Sequence, residues 1–113
     1  MHVDIFVFGS NREGRHGKGA ALTAAKKHGA LYGQAEGLQG RSYAIITKEL
    51  RPWQPPVELT EIKQGVDKFV IFANNNRQYN FLITRIGCGL AGFDWENQIK
   101  PMFNLMPNNC TFI

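Results

Sequence analysis

Cysteine is scarce in this chain. Cys88 and Cys110 are its two cysteines among 113 residues, too few for a disulfide framework and too isolated for a metal centre. Such usage fits a reducing compartment, and the expected home is the cytoplasm. Long apolar runs are missing as well. No hydrophobic stretch approaches the roughly 18 residues of a membrane-spanning helix, so no membrane association is expected. The opening MHVDIFVFG has neither a basic leader nor a long apolar core, which argues against a secretory signal. Repeats, linkers and low-complexity tracts are absent too. What is present, with 43% hydrophobic residues and scattered charge, is the composition of one folded domain over residues 1–113, large enough for its own core.

Acid is missing from one place in particular. Residues 12–27 carry Arg12, Arg15, Lys18, Lys26 and Lys27 against Glu13 alone, which equals the whole formal net charge of +4. The other eight cations are matched by eight acids. A local excess of this size suits a small anionic ligand. It is too narrow for duplex nucleic acid, which needs a broader basic face.

The hydrophobic pattern alternates strand with helix. VDIFVFG (3–9) is a short β-branched and aromatic run ending on glycine, a buried strand. GAALTAAKKHG (19–29) is made of helix formers and finishes with cations and a glycine. ALYGQAEGLQG (30–40) reads as a surface loop and RSYAIIT (41–47) as a second strand. The prolines of RPWQPPVEL exclude regular structure, and Trp53 among them reads as a lid over the core rather than as a ligand platform. Ile62, Val66, Phe69, Val70 and Ala73 share one face of a helix that ends at NNNR. FLITRI (81–86) is a third strand. Asp94 caps a further helix with Trp95, Ile99, Met102, Phe103 and Met106 on one side, and Pro101 predicts a kink or early end in it. CTFI (110–113) fits a last strand. The expected fold class is α/β: a compact three-layer α/β/α sandwich around a mostly parallel or mixed sheet.

Two glycine-rich loops stand out. The first, from Gly9 to Gly19, follows the first strand and opens a helix. The second, from Gly87 to Phe93, follows the third strand and opens another. With parallel strands both lie at the carboxyl edge of the sheet, where open α/β folds bind ligands. Helix N-termini there offer free N–H groups to an anion. Neither standard nucleotide signature fits. Gly9-x4-Gly14-Arg15-His16 lacks the Lys-Ser/Thr of a P-loop, and Gly87-x-Gly89-x2-Gly92 is followed by only 21 residues, too few to complete a dinucleotide-binding unit.

The order of these pieces resembles the macrodomain superfamily, an ADP-ribose-binding α/β/α fold. FGSN (8–11) stands where that family ends a strand in asparagine. GRHGKGAALTAAKKHGA is similar to its glycine-rich loop and following helix, and ITRIGCGLAGFDWENQIKPMF (83–103) to its second loop and helix. The chain also resembles small uncharacterised bacterial and phage proteins that carry FGSN…GxHGxGAA and TRIGCGLAGF. The resemblance implies that the two loops clamp a diphosphate. It implicates Asn11, Gly17 and Gly19 in the first loop, and Gly87, Gly89, Leu90, Ala91, Gly92 and Phe93 in the second.

Several further side chains belong with these loops. Gly9 and Ser10 flank the strand end, and Arg15 and Lys18 would attract phosphate. His16 between polar neighbours reads as a ligand donor or a general acid/base. Asn11 either meets the ligand or makes a turn of its own. Arg85 either faces solvent at the sheet edge or enters the cleft as an anion partner. Cys88 is either a nucleophile with His16 as base or a small buried thiol. The leading expectation is a binding module for an ADP-ribose-type or other NAD-derived nucleotide, with no further cofactor or metal. The alternatives are a hydrolase of such a nucleotide, in which Asn11 positions water and His16 transfers protons, and an RNA- or protein-interaction module.

Overall fold

A computed structural model describes residues 3–113. Its elements follow in the order β1 (Val3–Asn11), α1 (Gly19–Lys27), β2 (Gly37–Gln39), β3 (Ser42–Lys48), α2 (Leu59–Asn74), β4 (Tyr79–Ile83), a short helical segment (95–103) and β5 (Cys110–Phe112). The described residues form a five-stranded sheet in the spatial order β2-β3-β1-β4-β5. β3, β1, β4 and β5 run parallel, and β2 pairs antiparallel with β3. The sheet is therefore mixed, parallel at its centre with one antiparallel edge.

Alternation along the strands sorts side chains to two faces. Ile5 and Val7 of β1, Tyr43 and Ile45 of β3, and Phe81 and Ile83 of β4 share one buried cluster. Into it α2 inserts Ile62, Val66, Phe69 and Ala73, the stripe that the sequence period picks out, while Val70 packs at its margin. Trp95, Ile99 and Phe103 of segment 95–103 complete that side. On the opposite face Phe6 and Phe8 meet Ala20, Ala21, Ala24 and Ala25 of α1. Alanines there let the helix sit close to the aromatic strand. The result is a three-layer α/β/α sandwich.

Four boundaries differ from the sequence reading. Residues 37–39, expected in a surface loop, form the edge strand β2, which reverses into β3 through Gly40 at φ 59°. β1 runs two residues past Gly9, and its register against β3 shifts between Ser10 and Asn11, so that Asn11 pairs with Lys48. β4 stops at Ile83, leaving Thr84, Arg85 and Ile86 to begin the second loop rather than to finish a strand. Segment 95–103 is a wide π turn over Trp95–Ile99 followed by a tight 3-10 turn over Lys100–Phe103. Pro101 has no N–H to offer to the preceding turn, so regular α geometry gives way there. Asp94 caps the segment as expected: its carboxylate accepts from the Asn97 amide at 3.3 Å and from the Asn97 side chain at 2.7 Å. Those bonds hold the Asp94 carboxyl below its ordinary pKa.

Candidate functional site

The carboxyl ends of β1, β3 and β4 open into one cleft of about 700 Å³. Both glycine loops border it, together with the start of α1 and the chain that follows β3. Five cations line this cleft (Arg15, Lys18, Lys48, Arg51 and Arg85), with no carboxylate among the described lining residues. Acid gathers elsewhere: a second hollow of about 390 Å³, beside α2, is lined by Glu36, Glu58 and Glu61.

The cleft's cations are not the set that the sequence groups together. Arg12 is turned away into ion pairs with Glu49 at 2.6 Å and Glu61 at 2.7 Å. Its guanidinium lowers the Glu61 pKa chiefly through their hydrogen bond. Lys26 and Lys27 lie in the last turn of α1, at the helix end away from the cleft. Only Arg15 and Lys18 remain from the basic stretch. Lys48 and Arg51 come from the end of β3 and the turn beyond it, and sequence reasoning missed them. Their signal was available: a strand parallel to β1 must deliver its following residues to the same edge.

In the first loop Gly9, Ser10 and Asn11 line the cleft. A Cβ on Gly9 would sit 2.9 Å from Thr47 Oγ1 and 3.3 Å from the Gly87 nitrogen. Gly9 therefore lets the second loop start directly against β1 and β3. The Asn11 side chain closes its own loop, accepting from the Arg15 amide at 3.0 Å and donating to the Arg15 carbonyl at 2.8 Å. It shapes the loop while lining the cleft. Gly17 and Gly19 lie outside the lining and are exposed.

His16 is the main correction. Far from an open donor, it is 2% exposed and meets Phe8 edge-on at 5.2 Å. Its Nε2 lies 3.1 Å from both the Gln34 carbonyl and Gln39 Oε1. Gln39 Oε1 also accepts from the Leu31 amide at 2.8 Å, which fixes it as oxygen, so His16 Nε2 carries the proton and donates. Nδ1 has no partner among the described residues. The sequence missed this because the partners lie about twenty residues away and the flanking glycines disguise a buried position. His16 anchors the loop and does not enter the cleft, so a proton-transfer role there has no geometric basis.

In the second loop Gly87, Gly89, Leu90 and Ala91 line the cleft, as does Arg85. Arg85 is exposed and borders the cleft at the same time. The backbone amides of residues 87–91 donate to no protein acceptor among the described residues, five consecutive N–H groups on a loop bordering a basic cleft. Gly92 and Phe93 stand outside the lining. Phe93 packs against the main core, and its amide donates to the Gly87 carbonyl at 2.8 Å, so it supports the loop from the core side. Cys88 is half-buried, outside the lining, with its thiol directed at the Ile86 carbonyl at 3.3 Å. Burial first, and the Asp94 charge second, push its pKa up against the pull of Arg85. A raised pKa disfavours the thiolate that a nucleophile needs.

Trp53 is the remaining correction. It is 79% exposed and covers no core, in a turn whose Arg51 and Pro52 line the cleft.

Among the described residues no helix is long and apolar enough to cross a membrane. No family model and no curated protein matches the chain. Solved structures do. A protein of unknown function from Bacteroides thetaiotaomicron superposes with a TM-score of 0.63 at 21% identity, over 90% of this chain and 78% of that one. An X-ray crystal structure of a protein from the same bacterium gives 0.61, again at 21% identity, over 90% and 80% of the two chains. At this identity the likeness is one of fold.

Proposed function

We propose that the chain is a binding module for a small anionic nucleotide of the ADP-ribose type, its phosphates held between the two glycine loops. The observation that carries this reading is the cleft itself: five cations, no carboxylate among the described lining residues, and a bordering loop whose amides 87–91 have no protein acceptor among the described residues. Its size falls within the range of small-molecule sites. Backbone N–H groups and cationic side chains are complementary to phosphate oxygens. The Lys18 and Arg85 side chains have no ion pair or hydrogen bond among the described residues, whereas Arg15 lies 4.0 Å from Glu13 and Lys48 Nζ donates to the Glu49 carbonyl at 2.6 Å. The loop lettering shared with macrodomains supports the same class of ligand. Binding is favoured over hydrolysis because a hydrolase needs a placed acid or base. The described lining residues include no carboxylate and no imidazole, and His16 is buried behind the loop.

The test is a thermal-shift screen with ADP-ribose, NAD, AMP and short single-stranded RNA, followed by chromatography of the recovered ligand. A ligand at a hundredfold its Kd adds about 2.7 kcal/mol of stability, equivalent to a shift of several degrees. A selective shift with ADP-ribose or NAD, and intact ligand afterwards, is the expected result. Turnover of the ligand would favour the hydrolase. A shift with RNA alone, vanishing as salt rises, would replace the nucleotide with a polyanion.

A further inference from the structure

We infer that Trp53 is the stacking platform for the planar base of the bound nucleotide, with Arg51 behind it bridging base and phosphates. This rests on the nucleotide reading of the cleft and extends it from the anionic part of the ligand to its aromatic part. The two tryptophans of the chain are used in opposite ways. Trp95 is 7% exposed and packs against Phe103 and Phe112. Trp53 shows 79% of its surface to solvent.

Its position is nevertheless held. The turn 51–54 is closed twice, by the Gln54 amide on the Arg51 carbonyl at 3.1 Å and by the Arg51 amide on Gln54 Oε1 at 2.7 Å. Pro52 fixes the backbone just before the indole, and Pro55 and Pro56 stiffen the exit. The Arg51 guanidinium lies 5.9 Å from the centre of the indole ring, a cation–π contact that steadies the ring and keeps a charge beside it. Arg51 and Pro52 of the same turn line the cleft. An uncovered indole thus follows directly on two residues that line a phosphate-attracting site, in a turn closed by two hydrogen bonds.

On the second loop, Leu90 lines the same cleft at 72% exposure. A ligand made of phosphate alone would use the cations and leave both apolar groups wet. A ligand carrying a flat heterocycle uses all of them. Stacking is tolerant of which base is offered, because every base has a π face. The inference therefore names a base-bearing nucleotide and not a sugar phosphate or inorganic pyrophosphate.

Isothermal titration of the full chain with ADP-ribose and with pyrophosphate tests it, using wild type, Trp53→Ala and Trp53→Phe. Trp53→Ala is expected to weaken ADP-ribose roughly 5- to 150-fold, the range for loss of one base–aromatic stack. Trp53→Phe should recover most of that loss, and pyrophosphate should bind wild type and Trp53→Ala alike. ADP-ribose binding unchanged in Trp53→Ala would overturn the platform while leaving the phosphate cleft standing. An equal loss for pyrophosphate would overturn it as well, since the effect would then not run through a base. Wild type that binds neither compound would bring down the cleft reading itself, and the platform with it.

Discussion

Substituting alanine at Gly14 and, separately, at Gly17 separates glycines that hold the first loop from glycines that merely permit it. Gly14 is buried and has φ +67°, a backbone region that costs an L-residue about 1–2 kcal/mol. A Cβ there would lie 2.6 Å from the Gly33 carbonyl carbon and 2.7 Å from the Gln34 nitrogen. Both are backbone atoms and cannot swing aside, so the loop must lift from the segment beneath it. Overpacking of this kind adds about 1–3 kcal/mol. The expected loss for Gly14→Ala is therefore about 2–5 kcal/mol, a fall in Tm of roughly 10–20 °C for a domain of this size. A Cβ on Gly17, three residues later, would meet no heavy atom within 4 Å. Gly17→Ala should change stability by less than about 1 kcal/mol, with a gain possible from a stiffer unfolded chain. Urea unfolding followed by far-ultraviolet circular dichroism measures both, the comparison being valid when the denaturant slope is unchanged. Equal losses for the two variants would refute the packing argument. So would a Gly14→Ala protein within about 0.5 kcal/mol of wild type, the usual effect of an exposed substitution.

Three further outcomes are expected. His16→Ala removes a donor from two buried acceptors and should cost about 2–4 kcal/mol, read by the same unfolding assay; a variant as stable as wild type would place the ring outside the structure's polar interior. Lys18→Ala and Arg85→Ala should each weaken ADP-ribose by roughly 10-fold or more in titration, at the strength of a charged hydrogen bond, while their melting temperatures stay near that of wild type because both side chains are exposed. The buried Tyr43 phenol is pushed up from 10 to about 12, first by burial and second by Glu36. The unfolded chain therefore releases this proton first as pH rises, and stability falls between pH 10 and pH 12, by roughly 2–3 kcal/mol at about 1.4 kcal/mol per unit. Tyr43→Phe should flatten that part of the pH–stability curve, whatever its effect at neutral pH.

Much of the architecture was legible because period and punctuation agree. The apolar spacing from Ile62 to Ala73 has one reading, and the run from Val3 to Phe8, closed by Gly9, has another. The exceptions share a physical cause, which is that their reasons are not local. β2 is three residues long and begins with glycine, so only its ladder to β3 makes it a strand. Lys48 and Arg51 carry no loop motif, and they reach the cleft because β3 runs parallel to β1. Arg12 reads like its basic neighbours until Glu49 and Glu61 arrive from elsewhere in the chain. His16 looks open because glycine and charge surround it, and a glutamine far along the chain makes it a buried group. Trp53 was misread in the other direction. Three prolines suggested a cover for the core, whereas the turn they make holds the ring out into solvent.

The first loop is tied to residues 33–35 at three points. The Ser10 hydroxyl bonds the Ala35 carbonyl, the Gly33 amide bonds the Gly14 carbonyl at 2.7 Å, and His16 bonds the Gln34 carbonyl at 3.1 Å. Ties at three points restrict the shapes open to this loop. For the proposed binding role, such ties would leave little of the apparent affinity to be lost to waiting for a rare conformer. Ordering a free backbone costs about 1–2 kcal/mol per residue, and here that cost falls on folding instead of on capture. On the proposed reading, association at such a wall would be governed by encounter and by the attraction of its cations, and differences in affinity among related ligands would reside mostly in how long each one stays.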